Sequence, residues 1–209
     1  MTGLTLILSL VLGLTNGQTV PTSNYLELYT LVGQGGATTT ISEYHHDLGI
    51  IGFDNLVQSV CGQGAWILYE QKNYNWSHSS WTTPFSSGGY DCYDLPVTWH
   101  GEASSVRYAG TGDLHDETIT VYHSPDFAGG EIMFIREEPF LGDYNNEASS
   151  MIITGETPWT VYSHPGFHGD AICLQPHPIG DGYYFGAWNV GDIGMPNNEL
   201  SSVQKGCFA

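Results

Sequence analysis

Two six-residue phrases in the C-terminal third concentrate oxygen donors without concentrating charge. They are Asn145-Asn146-Glu147-Ala148-Ser149-Ser150 and Asn197-Asn198-Glu199-Leu200-Ser201-Ser202. Each offers amide oxygens, a hydroxyl and the backbone carbonyls of a short loop, with one carboxylate in the third position. A hard cation such as calcium takes about six to eight oxygen ligands at roughly 2.3–2.6 Å, and such a loop supplies oxygens without crowding carboxylates. The same residues also make an ordinary corner, because Asn-Asn is a common turn dipeptide and a serine can hydrogen-bond nearby backbone.

Overall charge points the same way. Among 209 residues, Lys and Arg number 4 and Asp and Glu 22, a formal net charge of −18. The four cations, Lys72, Arg107, Arg136 and Lys205, are scattered. Binding to phosphates needs clustered cations, so nucleic acid and anionic lipid surfaces are excluded as partners, while metal cations are attracted. The acids are unevenly shared: residues 25–111 hold eight against two bases, residues 112–209 fourteen against two.

Other chemistry finds little support. No G-x-S-x-G elbow, H-E-x-x-H, S-x-x-K or Gly-rich phosphate loop is present. His164 and His168 would share a face on a helix, but they lie in a Gly-containing hairpin, and with His45, His46 and His177 they read as surface histidines. Glu137 and Glu138, adjacent in sequence, would point to opposite faces of a strand rather than form a hydrolytic pair. The chain is expected to be non-enzymatic.

The elements that would position the two phrases repeat four times. Short β-patterned segments end in tyrosine at Tyr29, Tyr69, Tyr122 and Tyr162, 40, 53 and 40 residues apart. Each unit closes on a related phrase, beginning at Asp54, Gly101, Asn145 and Asn197. Two close pairs separated by a longer step describe two domains, each a tandem duplication. Short strands bounded by Gly, Pro and Asp, with no sustained 3.6-residue period, make the fold class all-β. The polar segment 110–117 reads as a linker between domains at 25–109 and 118–207.

This repeat resembles the βγ-crystallin Greek-key motif, whose mark is aromatic-x4-aromatic-x-Gly in the first hairpin. Tyr122–Phe127–Gly129 and Tyr162–Phe167–Gly169 match in full. In the first half, Trp76 stands where the glycine belongs after Tyr69 and Tyr74, and Gln34 replaces the second aromatic between Tyr29 and Gly36. The resemblance implies two Greek-key β-sandwich domains in tandem, the first divergent. It also implies calcium as the bound cofactor, through the family phrase (Asn/Asp)-(Asn/Asp)-x-x-(Ser/Thr)-Ser. The metal residues implied are Asn145, Asn146, Glu147 and Ser149 in one loop and Asn197, Asn198, Glu199 and Ser201 in the other. The residue after each first tyrosine completes a site: Ser163 joins Asn146 and Ser149, and His123 joins Asn198 and Ser201. In the first half Gln58 replaces the hydroxyl, and His100-Gly101 replaces the leading amides, so calcium is expected only in the C-terminal domain.

Residues 1–17 carry no charged side chain and include the apolar run Leu4–Leu14, too short to span a bilayer but suited to a secretory signal peptide. A buried N-terminal strand is the alternative. Four cysteines fit an oxidising compartment, and their spacings of 31 and 34 favour Cys61–Cys92 and Cys173–Cys207 over a zinc site, for which no ligand spacing exists. Asn75-Trp76-Ser77 is an N-glycosylation sequon. The expectation is a secreted, extracellular structural protein, without membrane insertion, acting as a monomer or a domain-paired homodimer. The alternative is a recognition protein, a lectin or an inhibitor of a secreted enzyme, meeting a protein or glycan through the divergent segment 75–89.

Overall fold

A computed structural model describes residues 24–76 and 80–209. The expected signal peptide lies outside the described residues. Among those described are thirteen strands in antiparallel ladders, joined by turns and single 3-10 turns.

The N-terminal half is built on β1 (Tyr25–Leu31), β2 (Gly35–Ile41), β3 (Ser59–Tyr69), β4 (Thr82–Asp94) and β5 (Ser105–Tyr108). Ladder order is β2-β1-β3-β4, with β5 also on β3. Two strands are long because β3 carries the end of the first repeat straight into the start of the second. Positive φ at Gly62 and Gly64 bends it between the two ladders. Cys61 and Cys92 face each other in the β3–β4 register and form a disulfide. Alternate residues of β1 point inward, so Leu26 and Leu28 join Val60, Trp66, Leu68 and Val106 in one core.

The C-terminal half keeps two separate ladders. One runs β11 (His177–Gly180), β12 (Tyr183–Asn189), β8 (Ser150–Thr154), β6 (Thr118–Tyr122), β7 (Glu131–Phe134); the other runs β10 (His168–Leu174), β9 (Trp159–His164), β13 (Ser202–Lys205). Their inner faces share a second core around Val121, Met151, Trp159, Val161 and Val203. The Cys173–Cys207 disulfide ties β10 to the C-terminal tail.

All four repeats fold the first hairpin by one device. The second residue of each Ser-Ser or equivalent pair is a fully buried serine: Ser59, Ser105, Ser150 and Ser202. Each hydroxyl donates to the carbonyl two residues after the tyrosine (Leu31, Gln71, Ser124, His164) at 2.6–2.8 Å. Each also accepts the N–H of the residue in the second aromatic position (Gln34, Tyr74, Phe127, Phe167) at 2.9–3.2 Å. Those four residues all have φ near +60°, a left-handed conformation costly for a side chain and here held by the serine. The divergent hairpins therefore fold like the intact ones. In the second repeat Trp76 has an ordinary right-handed conformation, because the positive φ of the glycine position falls one residue earlier, on Asn75.

A third cluster joins the halves, with Ala65, Ile67 and Tyr69 from one and Tyr122, Phe127 and Ile152 from the other. Leu114 of the expected linker is buried in it. At its centre Arg107 is 2% exposed and lies over the rings of Tyr69, Tyr74 and Tyr122. Its guanidinium donates to the Tyr69 hydroxyl (2.8 Å) and to the Gly129 and Phe127 carbonyls (3.0 and 2.8 Å). Glu131 lies 3.3 Å from it and accepts from the Tyr44 hydroxyl at 2.7 Å. Burial pushes the Glu131 carboxyl above the ordinary carboxylate range, with Arg107 and then Tyr44 pulling it down.

Two expectations change here. The divergent segment 75–89, the partner surface of the alternative reading, contributes its second part to β4, which packs on β11 and β12 of the same chain. The approach is close enough that any Cβ on Gly88 would collide with the Gly180 carbonyl. The sequon asparagine is 2% exposed, and its amide donates to the Ser80 and Trp81 carbonyls at 3.2 and 3.0 Å. A glycan on that nitrogen is incompatible with this turn.

Candidate metal centre

The loops that carry the oxygen donors are anchored to the tyrosine strands by one bond per repeat. The N–H groups of Gln58, Ser104, Ser149 and Ser201 donate to the carbonyls of Tyr29, Tyr69, Tyr122 and Tyr162 at 2.8–2.9 Å. Each loop's serine is thus set beside the residue after its own tyrosine: Ser149 beside His123, Ser201 beside Ser163. The second residue of each loop phrase, Asn55, Gly101, Asn146 or Asn198, takes positive φ. Asparagine tolerates that conformation and glycine does so freely, which explains why Gly101 can replace an amide there without altering the backbone.

Left-handed turning sends each second asparagine across to the neighbouring repeat. The Asn146 amide oxygen accepts from Ser201 Oγ at 3.0 Å, and that of Asn198 from Ser149 Oγ at 3.2 Å. Ser201 Oγ also lies 3.0 Å from the Ser163 carbonyl and 3.3 Å from the Glu199 carbonyl. The expected grouping is therefore corrected. Ser163 meets Asn146 and Ser201, not Ser149; on the other side Asn198 meets Ser149, not Ser201. The reason is that the strand bond fixes serine within its repeat while the turn exports asparagine.

A surface pocket brings Asn146, Ser163, Asn198, Glu199 and Ser201 together, with His164 at its wall. Asn145 and Asn197 do not line it. Asn197 is exposed, whereas the Asn145 amide oxygen is buried without a hydrogen-bond partner. Glu147 is exposed and its carboxylate lies 3.6 Å from the His123 ring. Among the described residues no three His, Cys, Asp or Glu side chains converge. The donors here are instead an amide, a hydroxyl and two carbonyls, a neutral oxygen set that fits a hard cation.

A third cross-loop pair gives the Asp54-Asn55 loop a serine partner from the other repeat. In the N-terminal half Asn55 Oδ1 lies 3.4 Å from Ser104 Oγ, and the Ser104 N–H is bonded to Tyr69 as Ser201 is to Tyr162. The clue available in the sequence was Ser104-Ser105 itself, which needs only a partner amide from the other repeat. Lys72 lies 3.8 Å from the neighbouring Asp54 and 2.9 Å from Asp47, so the carboxylate next in sequence to this pair already faces a cation. Gln58 and Gly101, the remaining combination, offer neither hydroxyl nor amide oxygen in the matching places.

Comparison with known proteins agrees with this division. The family model for Beta/Gamma crystallin matches residues 118–205. Gamma-crystallin M2 of Chiloscyllium indicum is 26% identical over 120 residues, 54% of this chain and 62% of that protein's length. Among solved structures, Geodin, a βγ-crystallin from Geodia cydonium, superposes with a TM-score of 0.64 at 22% identity, covering 88% of this chain and 99% of that one. Residues 118–205 thus carry the Beta/Gamma crystallin sequence pattern, and the βγ-crystallin fold extends over both halves.

Proposed function

We propose that the protein is a secreted, non-enzymatic structural protein whose C-terminal half binds calcium at two cross-loop sites. The observation that carries this reading is the convergence of Asn146 Oδ1, Ser163 O and Glu199 O on the Ser201 hydroxyl within 3.0–3.3 Å. Those residues would hold one ion; Asn198, Ser149 and His123 would hold the other. Bound ions would cross-link consecutive repeats, since each site draws its amide from one loop and its hydroxyl from the other. The two disulfides support an extracellular setting, and among the described residues no helix is long and apolar enough to cross a membrane.

Calorimetry of calcium into the metal-stripped chain from residue 18 onward tests this. Two binding events are expected, with Ser201→Ala abolishing one and Ser149→Ala the other. At free calcium 100 times the dissociation constant each site adds about 2.7 kcal/mol. For a chain of this size that corresponds to a rise in melting temperature of roughly 5–11 °C per site. No heat and no change in melting temperature would leave these loops as corners only.

A further inference from the structure

Strand β7 ends its ladder, and its far edge has no partner among the described residues. The His123 N–H donates to the Gly130 carbonyl at 3.0 Å, so by the alternation of an antiparallel ladder the backbones of Met133 and Ile135 point away from β6. Exposed edges of this kind are normally blunted by short length, charge or proline; β7 is short, but its Ile132–Ile135 stretch, Ile-Met-Phe-Ile, carries neither charge nor proline.

A cleft lies on each face beside that edge, lined mainly by apolar residues on the inner side and mainly by polar residues on the outer. On the inner face Ile132, Phe134, Phe140 and Tyr144 line a groove of about 400 Å³. On the outer face Met133 and Ile135 line another of about 570 Å³ against the 111–117 segment. Exposure of 60% at Ile135, 52% at Phe140 and 40% at Met133 leaves a continuous apolar strip around an unpaired backbone. A strand laid along β7 would send successive side chains alternately into the two grooves, the period-two arrangement of strand addition.

Charge selects the occupant. Asp116, Glu117, Glu137, Glu138 and Asp143 ring the strip, against only Arg136 and Lys205, and Lys205 is already paired with Glu117 at 2.7 Å. A second copy of this chain would bring the same acids and another −18, and residues 18–23 carry no charge at all. We propose that the free edge of β7 accepts an extended segment of a partner protein in which apolar side chains, entering the inner groove, alternate with lysines or arginines, entering the outer groove beside Asp116 and Glu117.

The test uses the chain from residue 18 in 150 mM salt with three capped octapeptides: alternating Lys-Val, the same composition in block order, and alternating Glu-Val. Fluorescence anisotropy should show the alternating Lys-Val peptide binding at least tenfold more tightly than the block-ordered one, and no binding of the Glu-Val peptide. Amide NMR shifts should centre on Met133 and Ile135. Met133→Pro removes an outward-facing N–H without costing a ladder bond, and should weaken binding at least tenfold. Ile135→Lys, which leaves the backbone intact, should do the same by charging the outer groove. The proposal is overturned if the alternating peptide does not bind or the block-ordered one binds equally. Indifference to both variants would also overturn it. So would edge amides already protected from hydrogen exchange in the free protein, since the chain's own N-terminal segment or a second copy would then be the occupant.

Discussion

Replacing Arg107 by methionine separates what its charge does from what its length does, because Met keeps an apolar stem of similar reach. Four groups lose contact with the guanidinium: Glu131, the Tyr69 hydroxyl and the Gly129 and Phe127 carbonyls. Glu131, 18% exposed and 3.3 Å from the guanidinium, becomes a largely buried carboxylate with only the Tyr44 hydroxyl. The Gly129 carbonyl loses its 3.0 Å donor, while the Phe127 carbonyl keeps the Tyr69 hydroxyl at 2.7 Å. Removing one member of a buried ion pair typically costs about 3–5 kcal/mol, and an unsatisfied carbonyl about 1–3 kcal/mol. The terms overlap as the site relaxes, so the expected loss for Arg107→Met near neutral pH is about 4 kcal/mol. Adding Glu131→Gln should return about half of it, leaving mainly the lost carbonyl bond.

The pH dependence fixes the sign. Burial raises the Glu131 pKa in the folded state, and without Arg107 nothing cationic opposes that rise. Between the unfolded and folded pKa values the folded chain binds a proton that the unfolded chain does not. Stability of the variant should therefore recover as pH falls through that window. Urea denaturation at pH 7.5 and 5.5, on the single variants and the double, measures all three quantities. A loss under about 1 kcal/mol, or a loss insensitive to both pH and Glu131→Gln, would refute the idea that Arg107 stabilises a buried carboxylate between the halves.

Three further outcomes follow from described contacts. Gly88→Ala should destabilise by about 1–3 kcal/mol in urea melts, because the added methyl meets the Gly180 carbonyl of the other half and neither backbone can withdraw. Glu117 accepts from Lys205 and then from Thr157, which hold its carboxyl below the ordinary range. Its stabilisation is complete at neutral pH and lost as pH falls through the folded pKa, so Glu117→Gln should flatten the acid limb of a pH–stability curve. Replacing Cys61 and Cys92 together by alanine opens a 31-residue loop and should cost about 3–4 kcal/mol by the same melts.

Much of this was legible in the residues, for local reasons. Gly129 and Gly169, each two after an aromatic, announce the folded hairpins, and Phe127 and Phe167 do adopt the positive φ that goes with them. Gln34 and Trp76 hid the same fold in the first half, because the device that holds it is not the glycine but Ser59, 25 residues after Gln34, and Ser105, 31 after Tyr74. Which serine meets which asparagine could not be read from the loops, since proximity in sequence pairs Asn146 with Ser149 and the left-handed turn undoes that pairing. Arg107 and Glu131 carried no motif. Their partners come from opposite halves, and a lone arginine in an apolar strand was the one visible hint.

Arg107 also bears on the order in which the chain is made. Synthesis delivers the first half complete, with Ala65, Ile67 and Tyr69 facing outward and a guanidinium waiting for carbonyls at 127 and 129 that do not yet exist. The second half closes only with β13, about a hundred residues later, which at about 5–20 residues per second is an interval of roughly 5–20 seconds. During that time the nascent protein displays an apolar face with one unpaired guanidinium in it. Its correct folding depends on the newborn second half reaching that face before anything else in the compartment does.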